Sequence, residues 1–145
     1  MGKPARVRLL SYTVLCLTLA SRMPLAAQTS ALSCEDGQRS KQVAELLFGR
    51  DIGRRIGVSE KSWAYFVARE LTPRFPDGLT ITDAIGQWRD PAGGTIVREP
   101  AKKVEIVLPG HADDLARLDA VVRIYKSEFR QHSVAVIVRP ACVSF

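Results

Sequence analysis

Apolar and polar positions along the chain change rhythm several times. From Gln42 to Phe48, Ala44, Leu46 and Phe48 share one side while Val43, Glu45 and Leu47 share the other. That period of two predicts a strand, closed by Gly49. Gly49 to Gly57 (GRDIGRRIG) has no apolar rhythm and reads as a flexible loop. Ser59 suits the start of a helix, with Glu60 at its positive end and Val58 placed to staple against Trp63. Trp63, Phe66, Val67 and Leu71 then fall at helical spacing. Pro73 disfavours helical geometry at Thr72 and ends the run. The stretch Thr72 to Thr80, TPRFPDGLT, is predicted to be a corner: Pro76-Asp77-Gly78 has turn chemistry and Phe75 can plug the end of a core.

Leu79 to Trp88 alternates again. Leu79, Ile81 and Ile85 lie on one face, Thr80, Thr82 and Trp88 on the other. Asp90 to Gly94 is a turn, and Thr95 to Leu108 is the return strand, with Pro100 imposing an edge position or a bulge. Val104, Ile106 and Leu108 form its apolar face. A second helix begins near Asp113 or Asp114 with Leu115, Leu118, Val122, Tyr125 and Phe129 on one side. A valine-rich strand from Ser133 to Arg139 ends at Pro140.

Strand, helix, strand, strand, helix, strand is the order of the ferredoxin-like split βαββαβ arrangement, an α+β fold. It predicts a four-stranded antiparallel sheet with two helices on one face. The last strand is expected antiparallel to the first, at the sheet centre, which brings Cys142 beside Cys34. The other face, on this pattern, carries Val43, Glu45, Leu47, Thr80, Thr82, Trp88, Val134, Val136 and Val138, and is too apolar for a plain solvated surface.

The first residues stand apart. Lys3, Arg6 and Arg8 precede an apolar run from Leu9 to Ala20, with small residues near Ala26-Ala27, the layout of a secretory signal peptide. The run is too short to span a bilayer. Cleavage after Ala27 or Ala31 fits, and Ala27 is preferred. Residues 1–27 are then leader, 28–41 an N-terminal arm and 42–145 a single domain. The chain has 21 basic residues; less the four in residues 1–27, it keeps 17 against 15 acidic ones. That small excess argues against a nucleic-acid partner. Cys16 leaves with the leader, and the remaining Cys34 and Cys142 suit a disulfide in the periplasm or outside the cell. One rival is lipidation of Cys34, weakened because Ala31-Leu32-Ser33 lacks a leucine three positions before the cysteine; the other is two free thiols, which an oxidising compartment disfavours. Two cysteines cannot build a structural zinc site alone, and His111 and His132 lie in different segments, so no metal site and no cofactor are expected.

Leu47-Phe-Gly-Arg50, Trp63, Thr72 to Thr80, Gly86-Gln-Trp-Arg-Asp90, Arg98-Glu99, Tyr125 and Phe129-Arg-Gln131 together resemble a bacterial family of secreted domains of unknown function, numbered 3574. The resemblance runs from about Cys34 to Phe145. It implies an exported bacterial domain and transfers no activity, cofactor or site residue.

Five residues remain as candidates for chemistry. Arg74 could aim a cation at an anion, or bridge a carboxylate and cap the first helix. Trp88 with Arg89 could form a stacking platform, or serve as a contact or core plug. Glu45 and Glu99 could act as acid or base if buried, or pair with arginines such as Arg139 and Arg98. The leading reading is an envelope binding module that uses the open sheet face for a small anionic or aromatic ligand, a partner protein or a second copy in a homodimer. The alternative is a cofactor-free enzyme doing proton transfer between sheets, which requires Arg74 and a carboxylate to converge.

Overall fold

The computed structural model describes residue 2, residues 33–53 and residues 55–145. The expected leader, apart from Gly2, lies outside these residues. Strand β1 (Arg39–Gly49) begins within the stretch expected as an arm. Arg39, Ser40 and Lys41 show no apolar rhythm, yet they pair with Val143, Cys142 and Ala141. Their strand state comes from that neighbour rather than from their own side chains.

Gly49 to Gly57 is also more ordered than a loop. Asp51–Ile52 (β2) pairs with Arg55–Ile56 (β3) in a short hairpin. Helix α1 (Glu60–Phe66) follows, with the Ser59 hydroxyl accepting from the Ser62 N–H at 3.1 Å. Val58 and Trp63, the expected staple, are both buried. The helix continues as a π turn over Val67–Leu71, in which the Thr72 N–H donates to the Val67 carbonyl. The TPRFPDGLT corner then holds as expected. The N–H groups of Arg74 and Phe75 donate to the Leu71 carbonyl, Phe75 is buried in the core, and Gly78 takes φ 124°. A side chain at Gly78 would be strained in that region.

Strands β4 (Thr80–Arg89) and β5 (Ile96–Leu108), helix α2 (Asp114–Glu128) and strand β6 (Ala135–Val143) complete the fold. The sheet order is β4-β5-β1-β6 and every pairing is antiparallel. This is the ferredoxin-like arrangement. Strands β1 and β5 occupy the centre, whereas β6 is an edge.

One core forms on the helix side. Ala44, Leu46 and Phe48 of β1 and Val104, Ile106 and Leu108 of β5 pack with Trp63, Phe66, Leu71, Leu118, Val121, Tyr125 and Phe129. Phe48 and Tyr125 stand edge-on with ring centroids 4.7 Å apart, and Phe66 and Tyr125 at 5.0 Å. In α2 the buried stripe runs through Leu118, Val121 and Tyr125, while Leu115, expected inside, is 60% exposed.

Strand β6 differs from expectation in three ways. It lies at the sheet edge beside β1 and not at the centre. It passes through Pro140 and ends at Val143. Its phase is also opposite: Val136 lies across from Leu46 and Val138 across from Ala44, so both share the helix side, and Val134 packs on the core. Ala135, Ile137 and Arg139 take the open face instead. Apolar residues at both parities from Val134 to Val138 leave the alternation without a phase, and a one-residue slip exchanges the faces.

Cys34 and Cys142 form a disulfide with their Cα atoms 5.5 Å apart, at a sequence separation of 108. Cys142 sits opposite Ser40, so the bridge ties the segment before β1 to the end of β6. In the chain-entropy picture a closed loop of about 100 residues removes roughly 4–5 kcal/mol of freedom from the unfolded chain. Cys142→Ser is expected to cost about 2–5 kcal/mol. Urea midpoints with and without reductant check this: the wild type should fall to the level of the variant on reduction, and the variant should not respond.

Candidate functional site

The largest cavity described, about 800 Å³, opens on the helix-free face of the sheet at its disulfide end. Its floor is the start of β1 and the end of β5, with Arg39, Lys41, Glu105 and Val107 on the same side of the sheet. One wall is the corner from Asp77 to Thr80; the other is the chain end, Val143 to Phe145. The corner that shapes the end of the core therefore also shapes a cleft. Lys41 donates to the Pro109 carbonyl at 2.6 Å. Among the described residues neither Arg39 nor Lys41 has a carboxylate partner. Of the cleft carboxylates, Glu105 lies 3.6 Å from Arg139, and Asp77 belongs to the corner wall. Neither cation is held in an ion pair among the described residues, and both line the cleft with Leu79, Val107 and Val143.

The middle of the open face is ionic. Glu45 accepts from Lys103 at 2.9 Å, and the bond holds the ammonium above its ordinary pKa. With the Glu105–Arg139 pair, two ion pairs cross β5, β1 and β6. Val43 is buried although it points away from the helix-side core. Glu45 is therefore held in an ion pair and does not line the cleft.

Glu99 lies at the other end of the same face. Its carboxylate packs over Gly49, where an added Cβ would come within 3.1 Å of it. Glycine at 49 lets the carboxylate come this close, and the Gly49 carbonyl accepts from the Tyr125 hydroxyl at 2.8 Å on the other side. Burial pushes the Glu99 carboxyl above its ordinary value, and the Asp51 charge pushes in the same direction. Burial raises the Tyr125 phenol as well.

On the helix side nearby, Arg50 and Lys102 are buried cations. Arg50 donates to the Val58 carbonyl at 2.9 and 2.7 Å and to Glu60. Lys102 donates to Asp83 and to Glu60, the latter at 3.0 Å. The bond to Asp83 is the main force that raises the Lys102 pKa, and the bond to Lys102 lowers both carboxyls. The cluster joins β1, α1, β4 and β5, with Glu60 acting as both first-turn acid and bridge.

The other candidates are dispersed. Arg74 donates to the Glu70 carbonyl at 2.8 Å and to its carboxylate at 2.7 Å, so it caps the helix end. It sits in the helix layer, while Glu45 and Glu99 lie on the opposite face; the three do not converge. Trp88 and Arg89 point to opposite faces, and Arg89 donates to the Gly94 carbonyl in the hairpin turn, so they form no common platform. Arg39 and Lys41 fall in a stretch without periodicity and carry no signal of a site in sequence. A cluster of His111, Asp113 and Asp114 was also missed; its ligand atoms lie within 4.8 Å of one another. The Arg117 guanidinium fills it, at 2.9 Å from His111 Nδ1, 2.7 Å from Asp113 and 3.5 Å from Asp114. Its spacing at helix start and first turn was the available signal.

Residues 43–145 match a family model described as "Protein of unknown function (DUF3574)". The chain belongs to this family. Among solved structures, a phage SAM lyase in complex with S-methyl-5'-thioadenosine is similar at 16% identity with a TM-score of 0.56, over 79% of this chain and 95% of that one. The apo form of a phage SAM lyase gives 16% and 0.55 over 80% and 97%. CutA from Synechococcus elongatus PCC7942 gives 14% and 0.47 over 72% and 80%. The likeness to the lyase is one of fold. No curated protein matches the chain.

The raised Glu99 carboxyl has a stability consequence. Well below the ordinary value of 4.5 the group is protonated folded or unfolded and costs nothing. As pH rises through that value the unfolded chain ionises first, and stability falls until the folded group ionises too. Glu99→Gln is expected to be more stable than wild type at neutral pH, with the difference vanishing well below pH 4.5. Urea melts across pH check it; a variant no more stable at neutral pH contradicts the assignment.

Proposed function

We propose that the chain is an exported binding module that holds a small organic anion in the cleft at the disulfide end of the open sheet face. The observation that carries this is the pair Arg39 and Lys41, without carboxylate partners among the described residues, beside apolar walls. Clefts of about 300–1,000 Å³ are the usual size for small ligands, with a few polar groups set in an apolar lining. An aromatic or aliphatic body would rest on Leu79, Val107 and Val143, and its acid would meet the guanidinium and ammonium. Lys41 is half-buried, so its charge would be worth more there than on an open surface, while the exposed Arg39 would reach the acid from the rim.

The disulfide supports export. The Cys34–Cys142 bridge suits an oxidising compartment. Among the described residues no helix is long and apolar enough to cross a membrane.

The test uses anilinonaphthalene sulfonate, an anionic aromatic dye that brightens in apolar surroundings. Saturable binding to one site is expected, weakened by added salt. The double variant Arg39→Glu, Lys41→Glu should raise the dye Kd at least about tenfold, the equivalent of roughly 1.4 kcal/mol. Dye binding that ignores the double variant would overturn the proposal.

A further inference from the structure

The edge strand β6 is the least protected part of the sheet. Its sequence from Ala135 to Val138 carries no charge. Val136, Ile137 and Val138 are 41%, 46% and 37% exposed. Beside it runs a largely apolar groove of about 210 Å³, lined by Leu115, Leu118 and Val122 of α2 with Val136 and Val138; its one charged residue, Asp119, is paired with Arg123 at 3.4 Å. The opposite edge, β4, is blunted in the usual way, with Asp83, Gln87 and Arg89 along its length. Long apolar edges without such charges are templates for pairing with another strand.

Pro140 sets which backbone groups are free. A proline has no N–H, so within a ladder its nitrogen must face away from the paired strand. In an antiparallel strand the N–H and C=O of one residue point to the same side, and alternate residues point to opposite sides. Val136 and Val138 share the parity of Pro140 and therefore turn their N–H and C=O groups to the free edge. Beyond Val138 the next edge donor is missing, so the segment that can pair is short and ends at Arg139.

We propose that two copies of this chain pair antiparallel along the free edge of β6, about a twofold axis at Ile137. The register is self-complementary. Val136 of each copy exchanges both hydrogen bonds with Val138 of the other. Ile137 faces its own counterpart on the open side. Arg139 falls opposite Ala135, so the only charge in the segment avoids its like. The four valines then meet on the helix side and close the two α2–β6 grooves against each other. An interface built this way uses the same patch on both copies, as a closed twofold pair requires. It joins two sheets edge to edge and leaves the ionic open faces and both clefts uncovered.

The experiment is a mass measurement by sedimentation or light scattering on the full chain as purified. The expected result is a concentration-dependent rise from the 16.0 kDa monomer to twice that mass. Ile137→Lys sets two ammonium groups face to face at the axis, each on the open face opposite Glu45, which Lys103 already pairs. It should raise the dimer Kd at least about tenfold. Val138→Pro removes a free-edge donor while sparing the β1 ladder and should do the same. Circular dichroism verifies that both variants are folded. Ile137→Cys should cross-link two copies under mild oxidation, whereas Leu115→Cys should not. A mass that stays monomeric at all concentrations overturns the proposal. So does a dimer indifferent to Ile137→Lys and Val138→Pro, which would place the contact on the open face, and so does a mass rise that appears only with an added foreign strand.

Discussion

The structure depends on the burial of one apolar stripe shared by two central strands. Ala44, Leu46 and Phe48 on β1 and Val104, Ile106 and Leu108 on β5 must all leave water together. Two helices on one side satisfy that demand, and Tyr125 and Phe66 complete it by edge contacts with Phe48. Because side chains alternate, the demand fixes the opposite face as well. Glu45, Lys103 and Glu105 are placed outward by the same register that places Leu46, Val104 and Ile106 inward.

Charge is handled differently on the two sides. On the open face, Lys103 with Glu45 and Arg139 with Glu105 form pairs in reach of water, and such pairs add little stability. On the helix side, Arg50 and Lys102 are buried and each needs its partners, because an unpaired buried cation would be costly. Their carboxylates, Glu60 and Asp83, remain at the surface, so only one end of each pair is taken from water. Arg39 and Lys41 depart from both patterns. They have neither a core role nor a carboxylate partner among the described residues, and they sit where the sheet, the Asp77 corner and the chain end enclose a cleft.

The disulfide and the cleft share a location. The bridge holds the segment before β1 against the end of β6, and Gly37, Arg39 and Val143 line the cavity next to it. A loop closure that stabilises the fold therefore also positions both sides of the cleft. At the far end of the sheet, Gly49 plays a comparable part at smaller scale, letting Glu99 approach the backbone while Tyr125 bonds its carbonyl.

The sequence by itself determined the order of elements, the TPRFPDGLT corner, the Ser59 cap, the inward faces of β1, β4 and β5, the cysteine pair and the family. Each rests on local chemistry or on a rhythm with clear contrast between polar and apolar positions. Tertiary structure decided the phase of β6, the strand state of Arg39 to Lys41, the β2–β3 hairpin and the cleft. In β6 both parities are apolar, so only pairing with β1 selects a face. Arg39 to Lys41 have no pattern and become a strand because Ala141 to Val143 lie beside them. The separation of Arg74 from Glu45 and Glu99, and the meeting of Arg39 with the Asp77 corner, are distances between remote segments, and those arise only once the sheet has set its strand order.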